Sequence, residues 1–199
     1  AVGDAAFASW GWRVPFLAST VLVVIGFAIR TGTHEPPAFD KMKAAGAVER
    51  TPVREVLRTH WREVVLTALL RTGQQAPFYI FSTWVLTYAT GLGYPRHDVV
   101  HAVLIAAAIS MVTIPLFGHL SDRFGRRRVI GLGCLLLIGW SFVYFQLLAA
   151  SLVAIVIALP IHDLQYGPQA ALIAEAFPAR LRYSGSSLCY PLASLISGG

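Results

Sequence analysis

The stretch Gly118-His119-Leu120-Ser121-Asp122-Arg123-Phe124-Gly125-Arg126-Arg127-Arg128 ends in one acid and four arginines, set between two uncharged runs, Val99 to Ser121 and Val129 to His162. An α-helix rises about 1.5 Å per residue and needs about 20 apolar residues to cross a hydrocarbon layer about 30 Å thick. The first run is long enough for one crossing. The second holds 34 residues, about 51 Å as a single helix, so it must fold back, and Ala149-Ala150-Ser151 is the place. The basic stretch is then a tight loop between two membrane helices.

Working outward, further uncharged runs occupy Val14 to Ile29, Thr72 to Pro95 and Tyr183 to Gly199. Only 13% of the 199 residues are charged and 56% are hydrophobic, against about 25% charge in a soluble domain. A water-soluble fold, a disordered chain and a nucleic-acid-binding domain are excluded. Cys134 and Cys189 both fall in apolar runs, so neither a disulfide framework nor a metal cluster is expected. The spans are read as Trp12 to Arg30, Val64 to Thr90, His97 to Leu120, Val129 to Leu148, Leu152 to Ala176 and a sixth from Tyr183. The expected fold is all-α, a polytopic transmembrane bundle of about six spans.

Three regions are expected: residues 1–30, the first span with its lead-in; residues 31–63, a charged loop containing an amphipathic helix; and residues 64–199, a carboxy-terminal bundle. The amphipathic helix is read from Arg54, Glu55, Arg58, Arg62 and Glu63, which recur at helical spacing. The N-terminus carries no basic leader, and the sixth span has barely begun when the sequence stops, so both ends are expected to be cut from a longer protein.

Lys and Arg concentrate on the cytoplasmic side of short loops. Of the 16 basic residues, 13 fall on one face with this span count: Arg30, Lys41, Lys43, Arg50, Arg54, Arg58, Arg62, Arg123, Arg126, Arg127, Arg128, Arg180 and Arg182. Arg13 and Arg96 lie opposite, and Arg71 lies inside a span. The net charge of +6 therefore orients the protein in a cell membrane, a bacterial inner membrane by expectation, and its partner is the lipid bilayer and no nucleic acid.

The order Gly118-x-x-x-Asp122-Arg123-x-Gly125-Arg126-Arg127 resembles the signature loop of the Major Facilitator Superfamily. Its glycines are expected to allow a tight turn, and its arginines to bridge helix ends and meet lipid headgroups. Gly11-Trp12-Arg13-Val14-Pro15-Phe16-Leu17 and Glu35-Pro36-Pro37-Ala38-Phe39 resemble the metabolite:proton symporter branch, as do Tyr166-Gly167-Pro168-Gln169-Ala170-Ala171 and the turn from Glu175 to Gly185; Pro36 departs from its usual small polar residue. The resemblance implies a fragment from about helix six to helix eleven of a twelve-helix transporter. Its missing amino-terminal half would be a partner, because the family's substrate site lies between two halves. It also implies that Glu175, with Arg180 and Arg182 just beyond it, joins Asp122, Arg123 and Arg126 in a cytoplasmic gate, while Gly118, Gly125 and Arg127 complete the signature loop. Ordinary surface pairing is the other reading of these charges.

Ionisable groups at membrane depth are costly and mark function by default. Arg71 shares one helical face with Gln74, Gln75, Phe78 and Ser82. It either holds a substrate carboxylate in a bidentate pair or snorkels and pairs with a neighbouring helix. His162 and Asp163 stand mid-span beside Gln165, Tyr166 and Gln169. A carboxyl and an imidazole together can take up and release a proton; a satisfied interhelical polar cluster is the alternative. His97, Asp98 and His101 read as helix-end capping, and Ser184, Ser187, Pro191 and Ser194 as a small-residue packing stripe.

The function these readings imply is proton-coupled symport of a small organic solute by alternating access. The solute is a carboxylate or zwitterion, such as a dicarboxylate, shikimate-like acid or betaine. A proton gradient is the driving force, and neither cofactor nor metal is expected. A non-transporting half-bundle is the alternative. A membrane-embedded enzyme ranks lower, for the sequence has no His-Glu-x-x-His, Gly-x-Ser-x-Gly, Walker or Gly-x-Gly-x-x-Gly motif.

Overall fold

A computed structural model describes residues 4–32 and 52–197. The expected central loop, with Lys41, Lys43, Arg50 and Glu35 to Phe39, falls mostly outside them. The chain divides into two units, Ala1–Val48 and Glu49–Gly199. In the first, a short helix α1 (Asp4–Ser9) and a 3₁₀ turn lead into α2 (Val14–Gly32). No residue of α2 is buried. A helix that is apolar all round suits lipid, and Trp12 with Arg13 stacked on it at 5.1 Å forms an interfacial anchor at one end.

The second unit holds α3 (Pro52–Thr59), α4 (Trp61–Tyr79), a π-helical segment (Ile80–Trp84), α5 (Val85–Gly91), α6 (Arg96–Phe124), α7 (Arg126–Ala150), α8 (Val153–Glu175) and α9 (Arg182–Ser197). Helix α4, the π segment and α5 run on without a break. The fold is all-α, and no strand occurs among the described residues. The turns fall where the sequence places them, at Leu92 to Pro95 and at Ser151.

The expected amphipathic helix is shorter than its charge pattern. It closes at Thr59, and Arg62 and Glu63 belong to α4, which starts beyond His60. Val56 of α3 is fully buried in a cluster with Val64, Ile173, Phe177, Leu181 and Cys189. Burial of its apolar face against α4, α8 and α9 fixes α3.

Among the described residues, three helical stretches are long and apolar enough to cross a membrane by length and composition: Gly11–Gly32, Arg96–Phe124 and Arg126–Ala150. The remaining expected spans, α4 to α5, α8 and α9, are not among them: α9 has 16 residues, and α4 and α8 carry several polar residues. Their polar residues turn inward: Thr67, Gln74, Gln75, His162, Asp163, Gln165 and Gln169 are buried, whereas Leu66, Leu69, Leu104, Val112, Leu135 and Phe142 are exposed. This arrangement inverts that of a soluble protein and fits a solvent of hydrocarbon.

Helix α8 packs along both α6 and α7, and α9 packs on α4. Close approach depends on glycine. A Cβ on Gly167 would lie 2.7 Å from the Ile114 carbonyl oxygen and 3.0 Å from the Gly118 nitrogen, so α6 and α8 meet backbone to backbone. Gly118 is thus a packing residue inside α6, a correction to its expected place in the turn. Gly125 alone makes that turn, with φ +93°, where a side chain is strained. On α9 the buried stripe is Gly185, Cys189 and Ala193, not the expected Ser184, Ser187, Pro191 and Ser194, of which the last three are exposed.

Candidate functional site

Two apolar clusters leave a polar layer between them along α8. Ala154, Ile155, Ala158 and Leu159 belong to one cluster, Ile173 to the other. At about 1.5 Å per residue, His162 and Asp163 lie near the midpoint of this helix. Here α4, α6 and α8 enclose a cavity of about 460 Å³ lined by Arg71, Gln74, Gln75, Tyr79, Ser110, His162, Asp163 and Tyr166 with apolar neighbours. That volume suits a small organic molecule.

The structure brings together the residues singled out on two distant spans. Arg71 donates from Nη1 to the side-chain oxygens of Gln74, at 2.5 Å, and Gln169, at 2.7 Å. Its guanidinium lies 5.6 Å from the ring centre of Tyr166 and 5.0 Å from that of Tyr190. Amide oxygens and aromatic faces hold this cation, and no carboxylate lies within ion-pair distance of it among the described residues. Gln169 stands behind the cavity wall, buried against Arg71.

His162 and Asp163 are each 2% exposed, and the His162 Nδ1 to Asp163 Oδ1 distance is 3.6 Å. Both line the cavity. Thr113 of α6 donates to Asp163 Oδ2 at 2.5 Å, and the His162 Nε2 atom meets the side-chain amide of Gln74. Four buried polar atoms of cavity residues have no hydrogen-bond partner among the described residues: Arg71 Nε, Gln75 Oε1, Ser110 Oγ and His162 Nδ1. Such groups cost about 1–3 kcal/mol each when left unpaired, and these four belong to residues around one cavity.

Three contributors escape the sequence reading. Ser110 and Thr113 are polar exceptions within the otherwise apolar stretch from Leu104 to Leu116, and that exception is the signal that would have found them. Tyr190 carries no local signal, because its partner Arg71 is 119 positions away. Ser82, expected on the Arg71 face, is not a lining residue and bonds the Phe78 carbonyl instead. The π segment, marked by the Val85 N–H to Ile80 carbonyl bond, shifts the helical register just there.

At the basic end, Arg126 joins Asp122 at 3.1 Å and Glu175 at 2.9 Å, tying the ends of α6, α7 and α8. Arg180 pairs with Glu55 of α3 at 3.9 Å. Arg123 and Arg127 line a cleft beside these pairs, and neither has an ion-pair partner among the described residues. Arg182 is the first residue of α9. At the far end of α6, His97 pairs with Asp98 at 3.1 Å and stacks edgewise on His101, but no side chain caps the helix, a correction to the expected capping. No group of three or more His, Cys, Asp or Glu among the described residues is placed to hold a metal.

The family model described as Major Facilitator Superfamily matches residues 1–199. The chain is 35% identical to the inner membrane metabolite transport protein YhjE of Escherichia coli, the alignment covering 97% of this chain and 46% of that protein. It is 36% identical to the shikimate transporter of Escherichia coli, over 98% of this chain and 47% of the relative. With the proline/betaine transporter of Salmonella typhimurium the identity is 27%, over 99% and 42%. The chain thus spans about half the length of the curated relatives it matches. No solved structure matches it. These relatives are transport proteins, not enzymes, and the membrane-enzyme alternative falls with that. With polar groups turned inward on apolar helices and a family match along its whole length, this multi-pass membrane chain belongs to the Major Facilitator Superfamily.

Proposed function

We propose that this chain supplies the carboxy-terminal half of a proton-coupled symporter for a small organic carboxylate or zwitterion, working by alternating access in a bacterial inner membrane. The observation that carries this reading is a cavity in which an arginine, held among the described residues by neutral groups alone, shares walls with a His-Asp pair. Arg71 binds the solute carboxylate, and His162 with Asp163 carries the coupled proton. The names of the shikimate and proline/betaine relatives support this solute class. The Asp122, Arg126 and Glu175 pairs act as a gate that closes one face and parts in the other state.

Since the chain spans about half of its relatives, we expect an amino-terminal half to complete the cavity, and this chain not to transport alone. Uptake into proteoliposomes by the complete transporter, against a panel of organic acids and betaines with and without an imposed pH gradient, tests the proposal. A panel member driven inward by the gradient is the expected result; uptake indifferent to the gradient would sink proton coupling. Asp163→Asn is expected to abolish gradient-driven uptake while sparing exchange, and unchanged uptake would remove Asp163 from the coupling role.

A further inference from the structure

Hydrogen-bond chemistry along the line Arg71, Gln74, His162, Asp163 leaves little freedom. Arg71 has only donors, so the group of Gln74 that meets it must be the amide oxygen. The amide nitrogen then faces His162 Nε2, and because an NH₂ group only donates, this contact is a hydrogen bond in the tautomer whose Nε2 presents its lone pair. That neutral ring carries its hydrogen on Nδ1, the nitrogen 3.6 Å from Asp163 Oδ1, whereas the other tautomer would donate from Nε2 to the Gln74 backbone carbonyl. The charged or titratable groups around the ring are few. Asp163 and Tyr166, the latter's ring centre 6.1 Å away, share its helix, and α4 brings Arg71 and Tyr79. Helix α6 contributes Ser110 and Thr113 and no titratable group to this wall, and Tyr190 of α9 lies on Arg71.

Adding a proton to Nε2 sets two donors against each other. The ring's new N–H has another acceptor close by, the Gln74 backbone carbonyl at 3.2 Å. The side-chain amide has no such option: rotated by half a turn, it would offer its NH₂ to Arg71, again donor to donor. It has to leave Arg71. Arg71 keeps Gln169 and the two tyrosine faces and regains one Nη1–H donor for an anion.

We infer that the side-chain amide of Gln74 is a relay that releases Arg71 to an anionic solute when His162 gains a proton on Nε2. The inference rests on the reading of Arg71 as the carboxylate site. Only one covalent change is involved, transfer of a proton from a hydronium ion of the solvent to Nε2, which leaves neutral water behind. Proton and anion then bind cooperatively, each favouring the state the other needs, and Gln74 acts as a positioning residue.

The test uses the complete transporter in proteoliposomes, with shikimate and glycine betaine as probes in exchange at equal pH on both sides. The apparent KM of the unsubstituted protein is expected to fall about tenfold as the pH is lowered, with little change in maximal rate. Gln74→Met should flatten that dependence. Gln74→Glu, whose carboxylate accepts from Arg71 and from a protonated ring at once, should raise KM about tenfold at every pH. An unchanged pH slope in Gln74→Met, or an unchanged KM in Gln74→Glu, overturns the relay. Absence of saturable exchange of either probe by the unsubstituted protein would instead sink the carboxylate-transport reading beneath it. Independently of any Gln74 variant, ¹⁵N-histidine labelling, with His162 assigned by difference from His162→Asn, should show the Nδ1–H tautomer for the neutral ring. An Nε2–H tautomer overturns the relay whatever the transport data show.

Discussion

Arg71 sits where an arginine needs partners, and those it has are uncharged. Two amide oxygens and two aromatic faces stabilise the guanidinium while leaving its full positive charge to act on the cavity. Its planar fork can take a carboxylate through two parallel bonds, which a lysine cannot. Arg71→Gln is therefore expected to raise the apparent KM for a carboxylate solute by about tenfold or more, and Arg71→Lys by clearly less. Transport assays over a range of solute concentrations check this, and equal effects of the two substitutions would favour a packing role. Much of this residue's setting was legible from the spacing of Arg71, Gln74 and Gln75 and from the mid-span polar group at His162 and Asp163. The contact between these two groups was not, because 88 residues separate Gln74 from His162 and helical periodicity carries no information across such a gap.

Among the helices, the glycines mark where the sequence pattern and the packing part company. The signature spacing locates Gly118 but does not tell that it faces Gly167 across a helix pair; only the fold supplies the partner. Room at the two positions differs sharply. A methyl on Gly118 would meet only the Gly167 carbonyl oxygen, at an ordinary 3.7 Å, whereas one on Gly167 collides with the α6 backbone, which has no rotamer to change. Gly167→Ala is expected to destabilise the bundle by about 1–3 kcal/mol, and Gly118→Ala to be tolerated. Thermal unfolding of the two variants in detergent would show the contrast, and equal midpoints would rule out a backbone-to-backbone seam. The same limit explains the serine stripe on α9. Ser184, Ser187 and Ser194 satisfy the small-residue pattern as well as Gly185, Cys189 and Ala193 do, and which face is buried depends on α4 and Phe177.

For the molecule as a whole, the position of the charges was the most legible feature of the sequence, since the expected span order puts thirteen basic residues on one face. Which of them pair was not, because ion pairs near the surface follow from where helix ends meet. Arg126 is bound to acids on two other elements, and both acids are more than half exposed. Such pairs add little stability, so under the proposed gate their effect would fall on the balance between states. Arg126→Gln is expected to leave the unfolding midpoint nearly unchanged but to alter the rate of solute exchange several-fold. The exchanged pair Arg126→Glu with Glu175→Arg should recover part of that change. An exchange rate equal to that of the unsubstituted protein in Arg126→Gln would deny the gate. The turn described at Gly125 adds a kinematic consequence. Helices α6 and α7 are joined through this one residue, a joint without slack, and Arg126 is the first residue beyond it. On the proposed gate, a swing of one helix against the other would pass to the pairs of Arg126 with Asp122 and Glu175 through that single residue.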